Sequence, residues 1–132
     1  MADHPNITVA ANSYDAMAKG NWDYLRDELL ADDVVFHVPG QGSLARDYRG
    51  KDEVLGYLRR LAQSTGDTLR MEPRTYLVGD DHVAAMLSVY AEREGRVLED
   101  TGLQVYRVSG GRISERWSYP DDPGAVDAFF AS

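Results

Sequence analysis

The chain has 132 residues, 43% hydrophobic and 27% charged, with no cysteine; that balance fits one globular domain spanning 1–132 and excludes disulfides, thiolate chemistry and cysteine zinc sites. A net charge of −8 argues against nucleic acid and anionic membrane surfaces as partners, since both call for a basic face. The N-terminal stretch lacks the basic start and apolar run of a signal peptide. No segment approaches the roughly 20 apolar residues of a membrane span, so a cytoplasmic location is expected.

Apolar residues at Ile7, Ala10, Ala11, Tyr14, Met17 and Ala18 recur at helical spacing, and Gly20 supplies a C-terminal cap. Asn21 is placed to cap a second helix carrying Trp22, Leu25, Leu29 and Leu30, with Asp23 in its first turn. Asp32-Asp33 breaks that pattern. Val34 to Val38 is β-branched and aromatic and reads as a strand, stopped by Pro39-Gly40. Residues 41–50 read as a polar loop. Lys51 to Ser64 reads as a third helix, with Val54, Leu55, Leu58, Leu61 and Ala62 on one face.

Beyond Gly66 the chain is strand and turn. Strands are expected over Thr68–Val78, His82–Arg93, Val97–Val108 and Arg112–Tyr119, with turns at Gly79-Asp80-Asp81, Glu94-Gly95 and Ser109-Gly110-Gly111. Val126 to Phe130 reads as a short apolar helix or arm. Helices followed by long consecutive hairpins predict an α+β domain: three N-terminal helices packed in a strongly bent antiparallel sheet. A strand glycine such as Gly102 lets the sheet bend, giving a cone with a pocket.

The order of these pieces resembles the SnoaL-like branch of the nuclear transport factor 2-like superfamily, a group of small bacterial proteins. Lys19-Gly20-Asn21-Trp22 is similar to its turn between the first two helices, and Leu29 to Pro39 to its helix-to-strand passage. Tyr48-Arg49-Gly50 through Val54 resembles its entry to helix three, Tyr106 to Ile113 its central hairpin, and Glu115 to Asp121 its closing strand. The resemblance implies a homodimer and no cofactor. It leaves function open, because such folds host isomerases, polyketide cyclases, dehydratases, epoxide hydrolases and plain binding domains.

In ketosteroid isomerase an aspartate base works with a tyrosine and a protonated aspartic acid. The place of that base, at the end of the first strand before a proline, is here Val38, and the place of the acidic donor is Gln104. The helix-one tyrosine falls about one residue from Tyr14. This incomplete set speaks against steroid isomerisation. The remaining polar candidates are His37, able to move a proton near neutral pH, and Asp100 and Gln104, which share strand parity. His37 would be the proton carrier, Asp100 its orienter and Gln104 a donor to a ligand oxygen. A neighbour of Val38 points to the opposite face unless the strand twists there, and His37 also reads as a plain strand histidine.

Tyr14, Tyr57, Tyr90, Tyr106, Trp22 and Trp117 are candidates for a pocket wall, against the plainer reading of core packing. On the closing strand, Ile113, Glu115, Trp117 and Tyr119 group on one face and Arg112, Arg116 and Ser118 on the other. If Trp117 and Tyr119 face outward they form a dimer strip. His4, His37 and His82 lack metal-ligand spacing, so no metal is expected. The expected partner is a small, mostly apolar, polyketide-like molecule handled by cofactor-independent acid–base chemistry. The alternatives are a non-catalytic binding or dimerisation domain and, more weakly, epoxide hydrolase-like water activation by Asp100 and Arg116.

Overall fold

The computed structural model describes residues 4–131. Helix α1 (Pro5–Lys19) starts on His4, whose Nδ1 accepts the Asn6 N–H at 3.1 Å, with Pro5 where no N–H is required. It ends on Gly20 at φ +66°, and the Asn21 N–H donates back to the Ala16 carbonyl at 2.8 Å. Helix α2 (Trp22–Tyr24) runs straight into a π-helical turn, Leu25–Leu29. Asn21 stands at its start but makes no side-chain capping bond, contrary to expectation. The turn still buries Leu25 and Leu29.

Strand β1 (Leu30–Val38) begins at Leu30, which the sequence pattern assigns to the preceding helix. Asp32 and Asp33 lie inside it, exposed, where its pairing shifts register between Leu30 and Val35. A short strand β2 (Arg46–Arg49) occupies the expected loop and sets Tyr48 opposite Phe36. Only Tyr48 of its four residues is buried, so alternation gave no signal. Helix α3 (Gly50–Ser64) buries Val54, Leu55, Tyr57, Leu58 and Leu61. Strands β3 (Arg70–Val78), β4 (His82–Arg93), β5 (Arg96–Ser109) and β6 (Arg112–Pro120) follow as a meander. Helix α4 (Pro123–Phe130) starts on Asp122, whose carboxylate accepts the Ala125 N–H at 3.0 Å.

The six strands form one curved, unclosed sheet in the order β2-β1-β6-β5-β4-β3. With its helices this is an α+β fold of the cone type. Every neighbouring pair is antiparallel except β1 and β6, which run parallel because α3 and the meander intervene before the chain returns to β1. The core holds Leu25, Leu30, Val34, Val54, Val83 and Ile113, joined by the fully buried rings of Tyr48 and Tyr106. Each such aliphatic side chain contributes about 1.5–3 kcal/mol through burial.

One irregularity sets the chemistry of the interior. Val108 pairs with Ile113 but Arg107 pairs with Glu115, so Ser114 is an extra residue in β6. Ile113, Arg116 and Ser118 therefore share the inner face, while Glu115, Trp117 and Tyr119 lie on the outer one. Uniform alternation, as the sequence pattern suggests, would have grouped Ile113 with Trp117. Nearby, a Cβ on Gly102 would stand 3.1 Å from the Tyr119 carbonyl oxygen and 3.2 Å from Pro120 Cα. Glycine there lets β5 and β6 approach closely at the lip of the interior.

Candidate functional site

A partly open cavity of about 110 Å³ lies between the concave sheet, α3 and α4. Leu61, Leu69, Met71, Leu87, Val89 and Phe130 make much of its wall. Polar groups enter from Tyr57 on α3, from Asp100, Thr101 and Gln104 on β5, and from Ser118 on β6. An apolar chamber of about 150 Å³ accepts benzene, so this one suits a ring-sized portion of a ligand. A smaller void shares Val38, Pro39, Tyr57, Leu61, Val126 and Phe130 with it and extends toward the 42–45 loop. Asp127 of α4 ties that loop down by accepting the Gln41 N–H at 2.8 Å.

Gln104 is the centre of the buried polar wall. Its Oε1 accepts the Tyr14 hydroxyl at 2.6 Å and the Tyr106 hydroxyl at 3.2 Å, and its Nε2 donates to Ser118 Oγ at 3.5 Å. Behind the wall lies Arg116, 3% exposed, its guanidinium 4.1 Å from the Phe36 ring centre. It takes part in side-chain hydrogen bonds with Tyr57 and Tyr106. Among the described residues no carboxylate forms an ion pair with it, and its buried Nε has no partner. Burial pushes the Tyr57 hydroxyl above its ordinary pKa, with Arg116 pulling the other way. Burial and the neighbouring Tyr106 push Tyr14 well above its own. Both tyrosines are therefore neutral donors near pH 7. Tyr48 stacks on Tyr57 at 4.5 Å, and its hydroxyl is anchored to the Leu44 carbonyl at 2.7 Å.

Asp100 sits toward the rim, where one carboxylate oxygen lies 3.5 Å from the Asp122 amide nitrogen at the start of α4. Asp121, next in the chain, is tied to Thr101 through both backbone and side chain. Asp100 and Gln104 are four residues apart on one face of β5, about 13 Å along the strand. A ligand that touches both must span most of the cavity.

His37 is on the other side of the sheet. Its Nδ1 is 2.9 Å from Asp47 and its Nε2 is 2.5 Å from Glu115, and its ring stacks on Trp117 at 5.5 Å. Burial works against its protonation, but the bonds to Glu115 and Asp47 outweigh it and hold the pKa above the ordinary value. The expectation that His37 shares a cavity with Asp100 and Gln104 therefore fails: strand parity turns it outward, and nothing in β1 reverses that at position 37. Trp117 is outward for the same reason. Tyr90 is on the outer face of β4, 36% exposed, opposite Arg70 and Glu99. Trp22 is half-buried on the helical side beneath Arg59 and does not line the cavity. Tyr14 stands behind the wall and reaches the cavity only through Gln104. The Asp–Arg–Asp group of the water-activation reading does not form, since tyrosines and not carboxylates surround Arg116.

Ser118 and the α4 residues Val126 and Phe130 were not singled out from sequence. The apolar spacing of the tail marked α4 as a packing element, but no local signal says that it closes a cavity. Parity alone would have paired Ser118 with Arg116.

A family model described as SnoaL-like domain matches residues 10–116. The uncharacterised protein Rv0034 of Mycobacterium tuberculosis is 30% identical over 132 residues, covering 99% of this chain and all of its own. Bal32a, from a soil-derived mobile gene cassette, superposes with a TM-score of 0.91 at 26% identity, covering 96% of each chain. IdmH of Streptomyces antibioticus, a candidate polyketide cyclase, does so with 0.74 at 27%, covering 91% of this chain and 94% of that one.

Proposed function

The chain belongs to the SnoaL-like domain family, and from that premise we propose that it binds a small, mostly apolar, cyclic or polyketide-like molecule and moves a proton on it without a cofactor. The reaction class is isomerisation, cyclisation or dehydration. The observation that carries this reading is the apolar cavity with Asp100 toward its rim and the donors Gln104 and Ser118 farther in. In this arrangement Asp100 is the proton acceptor, the role the sequence reading gave to His37. The proton comes from a carbon conjugated with a carbonyl but remote from its oxygen, and the Gln104 N–H and the Tyr57 hydroxyl receive that oxygen as it gains negative charge. The similarity to IdmH supports the substrate class.

The test is exchange of the γ-protons of a cyclic enone, which lie at the far end of the conjugated system from its carbonyl oxygen, for deuterium, followed by NMR. Wild type should accelerate exchange, and Asp100→Asn should lose about 10²-fold or more of it while still binding the ketone. A ketone that binds in the cavity and exchanges no faster with protein than without it would make the domain a binding module. Val38 at the place of the family base favours that second reading.

We also infer a homodimer through the outer face of the sheet. Trp117, Val105, Ala84 and Leu77 form one cross-strand row, and Tyr119, Leu103 and Met86 the next. Leu77, Met86 and Tyr119 are 59%, 48% and 53% exposed, an apolar strip that association would cover. Met86→Glu should convert a dimer to a monomer in sedimentation velocity. An unchanged sedimentation coefficient would discard this interface.

A further inference from the structure

Arg116 is a buried cation for which the described residues supply no anion. Such a charge is expensive to keep unless something it faces makes use of it. What it faces is the polar wall of the cavity, and its chemistry sets the direction of every hydrogen bond there. A guanidinium only donates. The Tyr57 and Tyr106 oxygens must therefore accept from Arg116. Tyr106 is left with its own hydrogen, which goes to Gln104 Oε1. Tyr14 gives the same oxygen a second hydrogen. The Gln104 carbonyl is thus saturated, its amide orientation is decided, and its N–H groups are what remain for Ser118 and the cavity. Tyr57, accepting from Arg116, likewise keeps a hydrogen to donate.

The deep wall consequently offers donors with a full positive charge one layer behind them. We propose that the cavity selects ligands whose deeply seated oxygen is anionic, a phenolate or an enolate, with Arg116 as the positioning cation that polarises Tyr57 and orients Gln104. This rests on the cavity being the ligand site, and it adds the charge state of the ligand. The ionisable groups facing the wall are Tyr14 from α1, Tyr57 from α3, Tyr106 from β5 and Arg116 from β6, with Tyr76 of β3 acting on Tyr14 and Tyr48 of β2 acting on Tyr57, while α4 and β4 contribute apolar side chains to the cavity. Asp100 is the opposing negative group and lies toward the rim. A neutral ligand passes it and becomes anionic by losing its proton, a ketone to Asp100 and a phenol to water at the open mouth of the cavity.

The experiment compares 4-nitrophenol, whose ionised form absorbs in the visible, with its methyl ether 4-nitroanisole, which cannot ionise. The full chain is titrated with each across the phenol's own pKa, and NMR shifts at Gln104 and Ser118 report occupancy. The phenolate should bind about tenfold or more tightly than the ether, and the bound phenol should ionise about one pH unit or more below the free one, the same tenfold expressed by linkage. Tyr57→Phe should lose most of that preference. Arg116→Met should abolish it, and Arg116→Lys, which keeps the charge, should restore part. A structural role for Arg116 would not move the ionisation of a bound ligand. If ether and phenol bind equally and the bound phenol ionises at or above its free value, the charge preference is refuted and the pocket reading survives. If neither compound shifts the Gln104 and Ser118 signals, the pocket reading falls and this inference with it.

Discussion

Arg116 and Trp117 are neighbours in the chain and end in opposite worlds. Arg116, inside the cone, has neutral tyrosine hydroxyls and the Phe36 ring around it and no counter-charge among the described residues. Trp117, outside, stacks on a histidine held between two carboxylates, and the ring of His82, which is paired with Asp81 at 2.6 Å, lies 6.0 Å from its own. The outer cluster has the charges and the short contacts that draw the eye to a catalytic site. Water reaches it, so its ion pairs are screened and contribute little. The inner cluster has weaker partners in a place where each bond is hard to replace. A single strand thus borders a surface group whose charges have partners and carries a buried cation that has none among the described residues, and only the second adjoins the cavity.

Breaking the inner cluster at its centre should have the largest effect on stability. Gln104→Leu leaves the Tyr14 and Tyr106 hydroxyls buried without their acceptor. It should cost about 2–6 kcal/mol in urea unfolding, from about 1–3 kcal/mol for each of the two orphaned groups. A loss below 1 kcal/mol would mean that water or another acceptor takes them over. Tyr14→Phe removes one donor from the same oxygen and keeps the ring, which packs edge-on to Tyr106 at 5.8 Å. About 1 kcal/mol is expected.

The outer cluster should respond less, and to pH. The folded pKa of His37 lies above its ordinary value. Its bonds to Glu115 and Asp47 therefore stabilise the fold fully below the unfolded pKa of about 6.5, and that contribution disappears as pH rises through the folded pKa. The stability difference between wild type and His37→Gln should be at most about 1 kcal/mol, present in mildly acidic buffer and absent in alkaline buffer. A difference that grows with pH would reverse the assignment. Smallest of all, Arg116→Met should unfold within about 1 kcal/mol of wild type, because losing the cation's burial cost offsets losing its contacts with the tyrosines. A loss above 3 kcal/mol would show that Arg116 holds the fold together instead of charging the wall.

Much of the frame is legible in the sequence itself. The apolar spacing of α1 and α3, the glycine stop at Gly20 and the turn residues at 79–81, 94–95 and 109–111 are local signals, and local backbone preference is enough to place them. The strand β2 was not legible, because three of its four residues are exposed and its pairing with β1 is a long-range choice. Asp100 and Gln104 were legible as a pair, since β5 runs without a bulge between them and parity holds. His37 and Trp117 were legible only as candidates, because parity separates the two faces of a strand without saying which one the helices cover.

From its own pattern, then, the chain determined the α+β class, the helices-then-meander order and the polar residues available on each strand. Those follow from backbone propensity and alternation, which act over a few residues. The tertiary structure decided which face became the interior. The extra residue at Ser114 turns Arg116 and Ser118 inward alongside Ile113, and the parallel return of β6 beside β1 sets Glu115 against His37 on the outside. A bulge shifts every later side chain to the other face, and its place depends on what the partner strand and the packed helices bury, which no short stretch of sequence records.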